Sequence, residues 1–175
     1  MTRYIAFLRA INVGGRVVKM DVLKQHFAMP GFKNIATYIQ SGNVAFDHSG
    51  ADKNALVKII EAKLLKELGY EVKTILKTIP DLESVIAHNP FEGLGEDMSL
   101  YVTFLSEVPN AGLADQLLDM QTEHEQFRFV GTEVYVVVQK GGYGESKFSN
   151  NFMEKKLKLA ATTRNWATVN KMLLL

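Results

Sequence analysis

The order in which strand-like and helix-like patterns follow one another is the strongest constraint on the fold of this chain. In the first half, short apolar segments typical of strands alternate with two segments whose apolar residues recur at helical spacing. The order is strand, helix, strand, strand, helix, strand, and the segments are 3–10, 17–27, 35–40, 43–47, 56–68 and 70–76. This order is typical of the ferredoxin-like arrangement, in which a four-stranded antiparallel sheet carries two helices on one face.

Residues that favour turns and caps separate these segments. Pro30-Gly31 ends the first helix, and Ser41-Gly42 joins two strands in a predicted hairpin. Asp52 or a neighbouring residue caps the second helix, which we expect to end at Gly69 because its C′ position favours glycine.

A second, similar cycle follows a short helix from Pro80 to about His88 and a linker rich in glycine. Its predicted strands are 100–105, 124–130 and 133–138, and its predicted helices are 111–120 and a segment from about residue 150, so that only a final strand is lacking. We therefore expect an α+β protein of two ferredoxin-like (βαββαβ-type) subdomains, with antiparallel sheets and helices packed on one face. The first subdomain is expected at 1–79, a helix and linker at 80–97, and the second subdomain with C-terminal helices at 98–175. The duplication is inferred from element order alone, since the halves show no convincing residue-level repeat.

Composition limits the classes of function. The 175 residues include 20 Lys and Arg and 19 Asp and Glu. The resulting net charge of +1 gives no global attraction to nucleic acid or membrane. The absence of cysteine excludes disulfides, thiol catalysis and thiolate metal sites. The four histidines lack metal-ligand spacing, so no structural metal is expected. No apolar run approaches the ~20 residues of a membrane helix, and we expect a soluble, cytoplasmic protein.

Four polar segments marked by glycine or threonine follow apolar runs: 9–16, 40–43, 141–147 and 162–166. Glycine allows close backbone approach, while Asn, Ser, Thr, Arg and Lys supply hydrogen-bond donors, so the four segments together could hold an anion. Ordinary turns and helix caps use the same residue types, and each segment alone is open to that simpler explanation.

The segment after the first strand gives the sharpest anion hypothesis. Arg9, Asn12, Gly14, Gly15 and Arg16 combine guanidinium groups with a glycine-rich backbone, which suits phosphate or carboxylate. The alternative is that Arg9 pairs with an internal carboxylate while the glycines only turn the chain.

The two late segments carry weaker signals. Gly141–Lys147 stands between a predicted strand and a predicted helix, but it misses the spacing of a nucleotide-binding P-loop, so only Ser146 and Lys147 are kept as anion contacts. Thr162-Thr163 is predicted to begin the last helix, with a threonine hydroxyl as the N-cap. Arg164 and Asn165 would then project from its first turn toward the same cavity as Arg9 and Asn43.

Four strings together also resemble a known family. Arg9-x-Ile-Asn-Val-Gly-Gly, Thr37-Tyr-x-x-Ser-Gly-Asn-Val44, Ser146-Lys147 and Ala161-Thr-Thr-Arg-Asn-Trp166 resemble the uncharacterised bacterial domain-of-unknown-function family sixteen ninety-seven, over nearly all of the chain. The resemblance implies an α+β fold of two ferredoxin-like subdomains and no established activity.

The function favoured by these observations is binding of a small phosphate- or carboxylate-bearing ligand in a cleft between the subdomains. The predicted ligand contacts are Arg9, Asn12, Gly14, Gly15, Ser41, Asn43, Ser146, Lys147, Arg164 and Asn165. One alternative is a non-catalytic protein-interaction module, as a monomer or homodimer. Another is single-stranded nucleic-acid binding through strand aromatics such as Tyr4 and Tyr38, which the near-neutral charge disfavours. No catalytic residue or cofactor is indicated, and the sequence does not decide whether the protein is an enzyme.

Overall fold

A computed structural model of the protein describes residues 1–140 and 149–175. The chain divides into two compact units, one formed by residues 1–83 with 172–175 and the other by residues 84–171. Each unit contains a four-stranded antiparallel sheet. The subdomain boundaries expected at residues 79 and 97 stay a prediction.

The first unit has the predicted order of elements. They are β1 (Thr2–Leu8), α1 (Met20–Phe27), β2 (Lys33–Tyr38), β3 (Asn43–His48), α2 (Lys53–Leu68), β4 (Thr74–Thr78) and the start of α3 (Ile79–Ala87). The strand order is β2-β3-β1-β4, and β1 pairs antiparallel with both β3 and β4. This is the ferredoxin-like strand order, with the first strand of the chain in the middle of the sheet.

The apolar sequence of β1 explains its central position. Tyr4, Ala6 and Leu8 belong to one core cluster with Phe27 of α1 and Leu56 of α2, which places them on the helix-covered face. Because side chains alternate along a strand, the residues between them lie on the other face, and these too are buried: Ile5 and Phe7 are fully buried. A strand buried on both faces requires a continuous apolar run, which residues 4–8 provide.

Helix α2 begins and ends as the sequence predicts. The Asp52 carboxylate accepts hydrogen bonds from the Asn54 and Ala55 amides at 2.9 and 3.1 Å, and Gly69 ends the helix in the left-handed conformation with φ +76°. In the described ranges 1–140 and 149–175, no helix combines the length and the apolar character needed to cross a membrane.

The second unit repeats the same topology. Its elements are the end of α3, β5 (Met98–Leu105), α4 (Ala111–Leu118), β6 (Glu125–Val130), β7 (Glu133–Gln139), α5 (Asn150–Leu157), β8 (Ala161–Asn165) and most of α6 (Trp166–Met172). The strand order is β6-β7-β5-β8, in which β5 takes the central place that β1 has in the first unit. Both sheets therefore confirm the predicted fold class.

The last polar segment corrects the sequence prediction. Thr162-Thr163 is predicted to begin the last helix, with no final strand in the second cycle, but Ala161–Asn165 forms β8 and pairs antiparallel with β5 from Leu105 to Tyr101. Thr162 and Thr163 are β-branched and favour a strand, and Thr163 Oγ1 lies 2.7 Å from Thr103 Oγ1 across that pairing. The capping residue of α6 is Asn165, whose Oδ1 accepts a hydrogen bond from the Thr168 amide at 2.7 Å.

Gly42 provides a test of close packing in the first unit. A Cβ at Gly42 would stand 2.6 Å from Ile11 Cγ2 and 3.0 Å from Leu8 Cβ, and φ is +79°. Gly69 has a similar φ, but nothing lies within 4 Å of its Cβ position. Both alanine variants incur the left-handed penalty of about 1–2 kcal/mol, and we expect Gly42→Ala to lose a further 1–3 kcal/mol, roughly, from overpacking. Urea denaturation measures both; equal losses would contradict the packing argument.

Asp47 is expected to contribute to the dependence of stability on pH. Arg3 and Asn34 both bind this carboxylate: Asn34 Nδ2 donates at 2.6 Å and Arg3 Nη1 at 3.0 Å, while Arg3 Nη2 donates to the Leu175 carbonyl oxygen. The hydrogen bond from Asn34, with help from Arg3 and against the effect of burial, lowers the pKa of Asp47 below its ordinary 3.8.

Because the pKa of Asp47 is lower in the folded state than in the unfolded state, the ionised carboxylate stabilises the protein at any pH above the pKa of the unfolded state. This stabilisation is lost as the pH falls through the pKa of the folded state. We expect Asp47→Asn to lower the free energy of unfolding at neutral pH by less than about 1 kcal/mol and to reduce its decrease between about pH 5 and pH 2. Urea denaturation across that range tests this, with Asp115→Asn on the exposed side of α4 as the control. Parallel pH profiles for wild type and Asp47→Asn would show that the prediction is wrong.

Candidate functional site

Two loops meet at one end of the first sheet. Residues 10–18, called the glycine loop below, follow β1, and residues 39–42, called the hairpin turn, join β2 to β3. The Leu8 amide donates to the Gly42 carbonyl at 2.9 Å, and Asn12 Nδ2 donates to the Gln40 carbonyl at 2.7 Å. These bonds fix the glycine loop against the hairpin turn.

Asn12 also closes the glycine loop on itself. Its Oδ1 accepts a hydrogen bond from the Val18 amide at 2.5 Å, and its Nδ2 donates to the Val18 carbonyl at 3.3 Å. The side chain that the sequence assigned to ligand binding thus contacts backbone on both loops. Its observed role is to set the shape of the glycine loop.

Gly14 and Gly15 form the exposed tip of the glycine loop. Their φ values are +70° and +83°, a region that residues with a side chain rarely adopt. Nothing lies within 4 Å of either Cβ position. Within the described part of the chain, neither amide donates a hydrogen bond. Two adjacent N–H groups are therefore left to solvent.

Arg16 is held beside this tip by an aromatic ring that the sequence interpretation did not include. Its guanidinium carbon lies 4.0 Å from the centroid of the Tyr70 ring, and the Tyr70 hydroxyl donates to the Ile11 carbonyl at 3.0 Å. Arg16 is exposed, so the stacking orients a cation that is still accessible to solvent. Tyr70 follows the glycine that ends α2, and no local pattern links it to the glycine loop.

The remaining predicted contacts of the first unit differ in accessibility. The Arg9 amide donates to the Lys73 carbonyl at 2.8 Å, and the residue is half-buried. Asn43 is fully buried and its Nδ2 donates to the Tyr38 carbonyl and to Ser41 Oγ, both at 2.9 Å. Ser41 is exposed in the hairpin turn. Asn43 and Ser41 thus stabilise the turn against which Asn12 is fixed.

Charge is distributed unevenly along the chain. Residues 1–46 contain six Lys and Arg and a single acidic residue, Asp21, although the whole chain has a net charge of +1. Arg3 pairs with Asp47 at 3.0 Å, just beyond this stretch, and the other five cations leave the stretch that contains the glycine loop with a positive excess. Such a local excess attracts anions even where the global field is small.

The predicted contacts of the second half belong to the second unit or lie outside the described residues. Arg164, on β8, is 6% exposed and donates to Thr162 Oγ1 and to the Thr163 carbonyl, both at 2.8 Å. Asn165 caps α6. Ser146 and Lys147 lie outside the described residues.

Away from the glycine loop, one buried hydroxyl has a shifted pKa. The Tyr135 hydroxyl donates to the Val85 carbonyl at 2.6 Å, and burial, with a smaller effect of Glu133, raises the pKa of Tyr135 to about 12, so its phenol stays protonated at neutral pH. No group of three or more His, Asp or Glu residues able to hold a metal ion occurs within residues 1–140 and 149–175.

The two sheets define the protein as an α+β protein of paired ferredoxin-like units. The chain belongs to the protein-of-unknown-function family DUF1697, whose model matches residues 1–135, and the resemblance noted in the sequence is thereby confirmed. Comparison with curated proteins gives no match. Among solved structures, the chain is similar to the conserved bacterial protein SP0830 from Streptococcus pneumoniae, with a TM-score of 0.76 and 22% identity over 99% of this chain and 97% of that one. At that identity the likeness shows the fold.

The hydrogen bonds of the Asn12 side chain can be tested by removing that side chain. We expect Asn12→Ala to lower the free energy of unfolding by about 2 kcal/mol, because it removes the bond from the Val18 amide and both bonds donated by Nδ2. Asn54→Ala is the control, since Asn54 is exposed on α2 and alanine favours a helix. Urea denaturation measures both variants. If Asn12→Ala were as stable as Asn54→Ala, the hydrogen bonds of Asn12 would not stabilise the glycine loop as we expect.

Proposed function

We propose that the protein binds a small molecule bearing a phosphate or carboxylate group at the glycine loop. The observation that carries the proposal is the pair of adjacent, exposed amides of Gly14 and Gly15, neither of which donates a hydrogen bond within the described residues. Successive backbone N–H groups in a turn with left-handed residues bind anionic oxygens.

Arg16 would supply the charge at this site. A guanidinium group donates two parallel hydrogen bonds to a carboxylate or phosphate, and stacking on Tyr70 reduces the number of conformations that Arg16 must give up on binding. The cationic stretch of residues 1–46 adds a favourable local potential.

The loop is also held in shape before a ligand arrives. The Asn12 side chain forms hydrogen bonds with Val18 and Gln40, and the Tyr70 hydroxyl donates to the Ile11 carbonyl. The backbone around the two glycines is therefore already fixed. A preformed site binds more tightly because less conformational entropy is lost on binding.

We propose further ligand contacts that are secondary to Gly14, Gly15 and Arg16. Arg9, Ser41 and Asn43 lie near the same end of the first sheet, but Asn43 is fully buried. Ser146, Lys147, Arg164 and Asn165 would take part only if the ligand lies in a cleft between the two halves, and this placement stays a prediction. Our proposal concerns binding and includes no reaction.

Amide chemical shifts of the glycine loop test the proposal directly. In a ¹⁵N-labelled protein titrated with inorganic phosphate or acetate, we expect the Gly14 and Gly15 resonances to shift in a saturable way. Arg16→Gln should weaken the binding of phosphate about tenfold, because it removes hydrogen bonds between charged groups.

Lys24→Gln is the matched control for charge. Lys24 is an exposed cation on α1, so this variant loses the same charge outside the glycine loop, and we expect less than about a twofold effect. No shift at Gly14 and Gly15, or equal effects of the two variants, would overturn the proposal. Tight binding of a single-stranded oligonucleotide with steep salt dependence would favour the nucleic-acid alternative instead.

A further inference from the structure

Three aliphatic side chains are exposed around the glycine loop. The exposed fractions are 60% for Val13, 76% for Val17 and 45% for Ile39. Each residue adjoins a member of the hydrogen-bond network of Asn12: Val13 follows Asn12 itself, Val17 precedes Val18, and Ile39 precedes Gln40. All three residues therefore belong to the two loops that the Asn12 side chain joins by hydrogen bonds.

Ile39 is the least expected of the three. Its φ is +48°, in the left-handed region that a β-branched residue adopts only at an energetic cost. Burial of the side chain would offset this cost, but almost half of the side chain is exposed. A strained residue whose side chain faces solvent at a loop tip is typical of a position selected for contact with a ligand.

We propose that the ligand is an amphiphilic anion, in which the phosphate or carboxylate group is attached to an aliphatic chain. This inference rests on the proposed function: the anionic group binds at Gly14, Gly15 and Arg16, and the chain covers Val13, Val17 and Ile39. A purely polar anion would leave these three side chains in water, whereas an attached chain removes apolar surface from water on both molecules.

A soluble, monomeric amphiphile fits better than an anionic bilayer. Anionic bilayers are bound by clusters of about four to eight Lys and Arg, whereas the glycine loop itself contributes one cation, Arg16. Three exposed aliphatic side chains, those of Val13, Val17 and Ile39, offer contacts for one aliphatic chain.

A series of alkyl phosphates tests the inference. Methyl, butyl and octyl phosphate are titrated below their micellar concentrations, and binding is followed by the Gly14 and Gly15 amide shifts. We expect the affinity to rise about fourfold for each methylene group that is covered. Val17→Ser should reduce this dependence on chain length, measured as the ratio of the affinities for octyl and methyl phosphate within the same variant.

Val22→Ser is the matched control, because Val22 is an exposed valine on α1, outside the glycine loop. It should leave the dependence on chain length as in the wild type. Thermal unfolding of both variants checks that they are folded.

The outcomes separate this inference from the proposed function. Equal affinities for methyl and octyl phosphate, or equal effects of Val17→Ser and Val22→Ser, would overturn the amphiphile while leaving anion binding intact. Absence of binding to every phosphate would overturn both. Binding to vesicles of phosphatidylglycerol but not to monomeric alkyl phosphates would assign the site to a membrane surface and overturn the soluble ligand.

Discussion

The close approach of β1 to the hairpin turn at Gly42 is the contact on which the candidate site depends. Because Gly42 has no side chain, its carbonyl accepts a hydrogen bond from Leu8 while Ile11 lies against its Cα. A side chain at this position would occupy the space of Ile11 and move the start of the glycine loop. Asn12 is the next residue, and its bond to Gln40 requires the same approach. The absence of a Cβ atom at Gly42 thus allows the glycine loop and the hairpin turn to approach each other.

The sequence predicts most of the fold because local signals agree with the topology in nearly every element. Ser41-Gly42 and Gly69 sit where the hairpin and the helix end require them, and the apolar run of β1 matches its burial on both faces. β8 was missed for a physical reason. Its residues are mostly polar, yet Thr162 and Arg164 are buried, so the alternation that identifies a strand is absent. Only pairing with β5 makes this segment a strand, and that pairing is not a local property.

The candidate site was predictable in position but not in the roles of its residues. Adjacent glycines after a strand indicate a loop in which the backbone adopts left-handed conformations or comes close to another group. The partners of the loop, however, are distant in sequence: Gln40 is 28 residues from Asn12, and Tyr70 is 59 residues from Ile11. No pattern within a segment indicates such contacts. The accessible cation could therefore be expected at Arg9 or Arg16; in the structure Arg16 is exposed and stacks on Tyr70, whereas Arg9 is half-buried.

The residues of the four polar segments fall into two groups that the sequence does not separate. Asn12, Asn43 and Asn165 use side-chain atoms to bind backbone, in a loop, a turn and a helix cap respectively. This is what short amides commonly do, because their oxygen and nitrogen replace backbone partners that turns and helix ends lack. Gly14, Gly15 and Arg16 belong to the other group, since the fold positions them and leaves their donors exposed. If folding alone had shaped the loop, exposed glycines would only add conformational entropy to the unfolded chain, and a left-handed isoleucine would add strain. The binding that we propose would account for both costs with one cause.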